Sequence, residues 1–110
     1  MTSEHSDQLA AIRDEYSQRF DDLRQAAIRV SFHKYGPAKV NFASGRVDAV
    51  KSLEKKLAAY KRTGNTELLV DVANYAMFEF MYPLHPEAHY TPMDDDRSTR
   101  PVGTPVNLER

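Results

Sequence analysis

Three carboxylates and one amide stand out in this sequence by type and spacing: Glu54, Glu67, Asp71 and Asn74. The last three fall in TELLVDVANYAMFEFMY, residues 66–82, which reads as a helix apolar on nearly every side. Such a helix belongs in the middle of a fold. Steps of four and three place Glu67, Asp71 and Asn74 along one helical side. Carboxylates in that setting are costly unless they meet a cation, a metal ion or strong donors. Glu54 lies on the preceding helix, at the edge of its apolar stripe, and can turn towards the same space. Carboxylates on facing sides of two antiparallel helices make a cage for Mg²⁺, a hard ion that takes oxygen ligands and keeps waters for a bound phosphate to replace. Glu54, Glu67 and Asp71 are the expected metal ligands and catalytic acids of such a cage, the ion helping to generate a hydroxide nucleophile. In the competing reading Asp71 and Asn74 only fix the packing, by hydrogen bonds to neighbouring helices or to Lys34, Arg46 or Tyr35.

The elements that must position these residues are all helical. Leu9, Ile12, Tyr16, Phe20, Leu23, Ala27 and Val30 recur at steps of three and four, so a first amphipathic helix is expected from Ser6 to about Phe32. Its length of about 40 Å exceeds what so short a globule needs and points to a partner chain. Gly36-Pro37 ends the segment. GPAKVNFAS, residues 36–44, is expected to be an ordered loop anchored by Val40 and Phe42. A second helix is expected from Gly45 or Arg46 to Arg62, capped by Ser44, with Val47, Val50, Leu53, Leu57 and Tyr60 as its buried stripe. Asn65 or Thr66 caps the third, which Pro83 stops near Met81. From Pro83 onward the chain holds five of its six prolines and the triplet Asp94, Asp95, Asp96, the composition of an extended arm, with Leu84 and Tyr90 as anchors. No stretch alternates with period two. The expected fold is therefore all-α: three main helices in a bundle completed by oligomerisation, with a helical domain over 1–82 and a proline-rich arm over 83–110.

At 110 residues with 28 % charged and 41 % hydrophobic side chains, the composition is that of a single ordinary globular domain. The absence of cysteine removes disulfides, thiolate nucleophiles and cysteine-bound zinc. The opening MTSEHSDQL lacks a signal-peptide pattern and the longest apolar run is too short for a bilayer, so a cytoplasmic protein without membrane contact is expected. The net charge of −1 conceals segregation: residues 29–62 hold nine basic and two acidic groups, whereas the flanking segments hold three and six, then three and eight. A basic middle segment attracts phosphates, on a nucleotide or on a nucleic acid backbone, unless the blocks simply pair with one another. His85 and His89 have the HxxxH spacing of a zinc site, but Pro86 argues against the helix that spacing requires. The aspartate triplet lacks the glycine turn and terminal glutamate of a calcium loop. No phosphate-cradling glycine loop or nucleophile–histidine pair is present.

The run DVANYAMFEF, preceded by Thr66-Glu67 and SLEKKLAAY, with HKYG further upstream, resembles the MazG-like all-α nucleotide pyrophosphohydrolase group, nearest its phage and bacterial branch of nucleotide modification associated domains. The likeness covers residues 33–82. It implies a hydrolase that binds Mg²⁺ through carboxylates on neighbouring helices and cleaves nucleoside triphosphates to monophosphate and pyrophosphate, as a dimer or tetramer. For such a substrate Lys34, Tyr35, Arg46 and Asn74 are the expected nucleotide-binding residues, with Lys34 or Arg46 offsetting developing charge; the other basic residues Lys55, Lys56, Lys61 and Arg62 are expected to form a solvent face of the second helix. The group's ExxE and ExxD pattern is matched at Glu54 and Glu67; Lys51 stands where the first glutamate falls, and Asp71 lies one position late. A non-catalytic helical oligomer that binds a host protein or nucleic acid is the alternative reading.

Overall fold

The computed structural model describes residues 11–93, and every described element is helical. The three main helices are α1 (Gln18–Tyr35), α2 (Ala49–Thr63) and α3 (Glu67–Met81). A single 3₁₀ turn, Arg13–Glu15, precedes α1, and a wide helical turn, Lys39–Ala43, lies between α1 and α2. Helices α2 and α3 are joined by residues 64–66 and pack along each other as an αα-hairpin; α1 crosses α3 over a shorter stretch. The apolar α3 is thus the central element, as its composition predicts.

The first helix differs from the expected one at its start. Tyr16 and Ser17 are extended, at φ −146°, ψ 167° and φ −115°, ψ 117°, and Ser17 Oγ accepts the Phe20 N–H at 2.9 Å. A serine that caps its own helix outcompetes continuation of the apolar stripe through it. Residues before 11, with Ser6 and Leu9, lie outside the described residues. At the other end α1 runs on to Tyr35, where Gly36 takes φ +84° and donates its N–H to the Phe32 carbonyl at 2.9 Å.

The second helix starts at Ala49, three or four residues later than expected. Asp48, not Ser44, is its cap, with Oδ1 accepting the Lys51 N–H at 3.0 Å. Ser44 instead closes the preceding turn, its hydroxyl donating to the Val40 carbonyl at 2.6 Å. The inward face is rotated too: Ala49, Leu53, Lys56 and Tyr60 lie towards α3, while Val50 and Leu57 are exposed. Gly64, left-handed at φ +74°, ends α2 as the Thr63-Gly64 signal predicts. Asn65 Oδ1 accepts the Glu67 N–H at 3.0 Å and opens α3.

The core is small. Phe42, Ala49, Val70 and Phe78 are its buried apolar side chains, and Phe42 stacks on Phe78 with ring centroids 4.5 Å apart. Of the two loop anchors expected, Phe42 is buried and Val40 is not, because the turn at Lys39–Ala43 directs only Asn41 and Phe42 inward. Tyr16, Phe20, Leu23 and Val30 of the first apolar stripe are exposed in the single chain. Residues 83–93 form no helix; Leu84 and Tyr90 are exposed, Tyr90 meeting the edge of Phe80 at 6.5 Å. Asp94, Asp95 and Asp96 lie outside the described residues.

Candidate ligand cavity

A cavity of about 590 Å³ opens between the C-terminal half of α1, the connection after it and the middle of α3. That volume lies in the range of small-molecule sites. Helix α1 supplies Ser31, Phe32 and Tyr35, the connection supplies Asn41, Phe42 and Arg46, and α3 supplies Asp71, Asn74, Tyr75 and Phe78. The lining combines aromatic side chains with aliphatic ones, Ile28 and Val47 among them, and with several polar groups, a composition suited to a small ligand that needs both apolar contact and a fixed orientation.

Asn41 organises the connection. Its Nδ2 donates to the Tyr35 carbonyl at 3.0 Å, satisfying one of the free carbonyls at the end of α1, and its Oδ1 accepts from Arg46 Nη1 at 3.4 Å. The exposed Arg46 guanidinium is thereby held at the cavity wall. Sequence reasoning passed over Asn41; its signal was a polar residue between the two apolar anchors of a glycine-bounded turn.

Asn74 is buried at 5 % exposure, and its Nδ2 donates to the Arg24 carbonyl at 3.0 Å, tying α3 to α1. A carbonyl can only accept, so this contact fixes which way the amide faces. The other end, Oδ1, is buried without a partner. Arg24 itself pairs with Asp21 at 2.8 Å and donates to Met77 Sδ at 3.2 Å, which fastens α1 over α3.

Asp71 also lines the cavity, and its Oδ2 lies 3.1 Å from Lys56 Nζ. The hydrogen bond that Lys56 donates to Asp71 raises the Lys56 pKa above its ordinary value, against a smaller opposing effect of burial. Lys56 therefore does not belong to the solvent face of α2 expected for it, and it, rather than Lys34, Arg46 or Tyr35, is the partner of Asp71.

The remaining expected site residues do not converge on this point. Glu54 follows Leu53, about 100° further round α2, and is exposed. Glu67 is exposed in the first turn of α3. Among the described residues no three acidic or imidazole side chains are gathered to hold a metal ion. The set Glu54, Glu67 and Asp71 thus does not fit a Mg²⁺ cage within one chain. Lys34 is exposed, with Nζ 5.8 Å from the Tyr35 ring centre, and is not part of the lining. His85 accepts the Glu87 N–H through Nδ1 at 3.0 Å and His89 Nδ1 lies 2.8 Å from the Glu87 carbonyl oxygen, so both rings engage local backbone in a non-helical segment.

Fold and cavity together define a small three-helix protein with an aromatic-lined pocket, in which no described helix is long and apolar enough to cross a membrane. No protein-family model, curated protein or solved structure matches the chain.

Proposed function

We propose that this protein binds a nucleotide in the cavity between α1 and α3. The observation that carries the reading is the combination of an aromatic lining, from Phe32, Tyr35, Phe42, Tyr75 and Phe78, with a guanidinium at the wall. A base is a flat apolar plate with polar edges, and its phosphates are anions; the rings suit the first and Arg46 the second. The surplus of basic groups in residues 29–62 draws the anion towards this side of the chain. The resemblance of residues 33–82 to nucleotide-handling proteins points the same way. The proposal is one of binding. Since the three carboxylates do not converge, no cleavage step is assigned to them.

Calorimetric titration with mononucleotides and triphosphates, with and without Mg²⁺, tests the proposal. Saturable binding is expected, and Arg46→Ala should weaken it about tenfold or more for every base, as loss of a charged hydrogen bond does. Absence of binding, or affinity untouched by Arg46→Ala, would refute it.

A homo-oligomer is the accompanying proposal, and a separate observation favours it. Phe20, Leu23 and Val30 on α1 and Val50 and Leu57 on α2 are exposed, an apolar surface that a small monomer seldom leaves in water. Sedimentation should give a multiple of the 12.6 kDa chain mass. Leu23→Asp should return a helical monomer; a wild-type monomer at high concentration would rule the proposal out.

A further inference from the structure

We infer that α1 pairs antiparallel with α1 of a second copy of this chain, about a two-fold axis beside Leu23, and that the pairing brings Phe20 of the partner subunit to the edge of each cavity. The inference rests on the homo-oligomer reading and adds to it the surface, the direction and the register. Phe20, Leu23, Ala27, Val30 and Lys34 follow one another at steps of three and four and share one side of α1. That spacing averages about three and a half residues, the seam along which one helix packs on another. The side that α1 turns to α3 is a different one, carried by Arg24 and Ile28: Arg24 donates to Met77 Sδ, and Ile28 packs on the core of Phe42, Ala49 and Phe78. Phe20, Leu23 and Val30 are left exposed.

Charge along α1 indicates what covers the seam. Asp14, Glu15, Asp21 and Asp22 lie before the helix or early in it, whereas from Leu23 to Tyr35 it carries Arg24, Arg29 and Lys34 and no acid. A helix with an acidic start and a basic end complements a reversed copy of itself, which is the self-complementarity a two-fold pair requires. Lys34 fixes the direction. It takes the place on the seam after Val30, so a parallel pair in register would set it against Lys34 of the partner subunit, like charge on like. The antiparallel pair sets it near Asp14 and Glu15 of the partner subunit instead. Side-chain size fixes the register: the bulkiest apolar seam residue, Phe20, opposes the smallest, Ala27 of the partner subunit, as facing helices interdigitate large on small. Leu23 then meets the partner's Leu23 at the axis. Ala27 also lines the cavity, so Phe20 of the partner subunit borders it.

The chain has no cysteine, so introduced ones report the pairing directly. At concentrations where the reduced full-length variants sediment as oligomers, mild oxidation should link Leu23→Cys into a covalent dimer and should link Phe20→Cys to Ala27→Cys in a mixture of the two. Val30→Cys should stay unlinked, because antiparallel pairing in this register holds its two copies about 20 Å apart, far beyond disulfide reach. Sedimentation of Lys34→Gln is the second measurement. At low salt it should associate about twofold to fivefold more weakly than the wild type, the range for an exposed ion pair, and the difference should shrink as salt rises. A parallel pair predicts the opposite sign, since the change would relieve repulsion. Val30→Cys that links as readily as Leu23→Cys, failure of Leu23→Cys or of the mixture to link, or unchanged or tighter association of Lys34→Gln overturns the inference and leaves the homo-oligomer reading standing. A wild type that sediments as a monomer leaves the seam to some other cover and removes both.

Discussion

Lys56 of α2 and Asp71 of α3 form the one ion pair that spans two elements among the described residues, at 3.1 Å, and Asp71 does so while forming part of the cavity wall. The pair joins the scaffold to the site: the same carboxylate that fastens the hairpin faces the ligand space. Both side chains keep more than a quarter of their surface in water, at 39 % and 30 % exposure, so the contact orients Asp71 more than it stabilises the fold.

A pH dependence follows from the raised pKa of Lys56. A cation whose folded pKa exceeds its unfolded value adds stability that is complete below the unfolded value, here 10.5, and is lost as pH rises through the folded one. Between about pH 9 and pH 12 the wild type should therefore lose up to about 1 kcal/mol more than Lys56→Met, the range for a partly exposed pair. Urea titrations of both proteins across that interval measure it; parallel losses would show that the pair contributes nothing.

Asn74 is the clasp between α3 and α1. Replacing it with alanine removes the 3.0 Å hydrogen bond to the Arg24 carbonyl, at a cost of about 1 kcal/mol. The loss should be local. Hydrogen exchange is expected to quicken across α1 while the α2–α3 hairpin keeps its protection; uniform acceleration over all three helices would contradict this division.

The stacked pair Phe42 and Phe78 is the centre of a small core, so its truncation is severe. Phe42→Ala should destabilise the chain by about 3 kcal/mol or more, against well under 1 kcal/mol for Val40→Ala two positions earlier, where the side chain is exposed. Denaturant midpoints compare the two directly.

Helix starts can be checked by their caps. Ser17→Ala and Asp48→Ala should each cost about 1 kcal/mol, because each removes an oxygen that accepts a first-turn N–H. Glycine at either position should restore most of the loss, a pattern that a purely side-chain packing effect would not show.

The amino-acid order alone determined much of this protein. Helical periodicity, the stops at Gly36-Pro37, Gly64 and Pro83, and the central place of the apolar α3 are local properties, set by backbone sterics and by the cost of exposing an all-apolar helix. Asp71 and Asn74 were recognisable for the same reason, as polar groups in a segment too apolar to leave them unpartnered. The faces that meet were not legible in that way. An apolar stripe states that a surface needs covering, and it does not state whether the cover lies in the same chain, which is why the stripe on α1 stays exposed here. The four-residue difference between the caps of α2, Asp48 in place of Ser44, accompanies the turning of Glu54 outward and Lys56 inward. Only tertiary structure decided that Asp71 meets a lysine instead of two further carboxylates, because partners across helices depend on how the elements are rotated and seated against one another, and one residue of helix turns a side chain by about 100°.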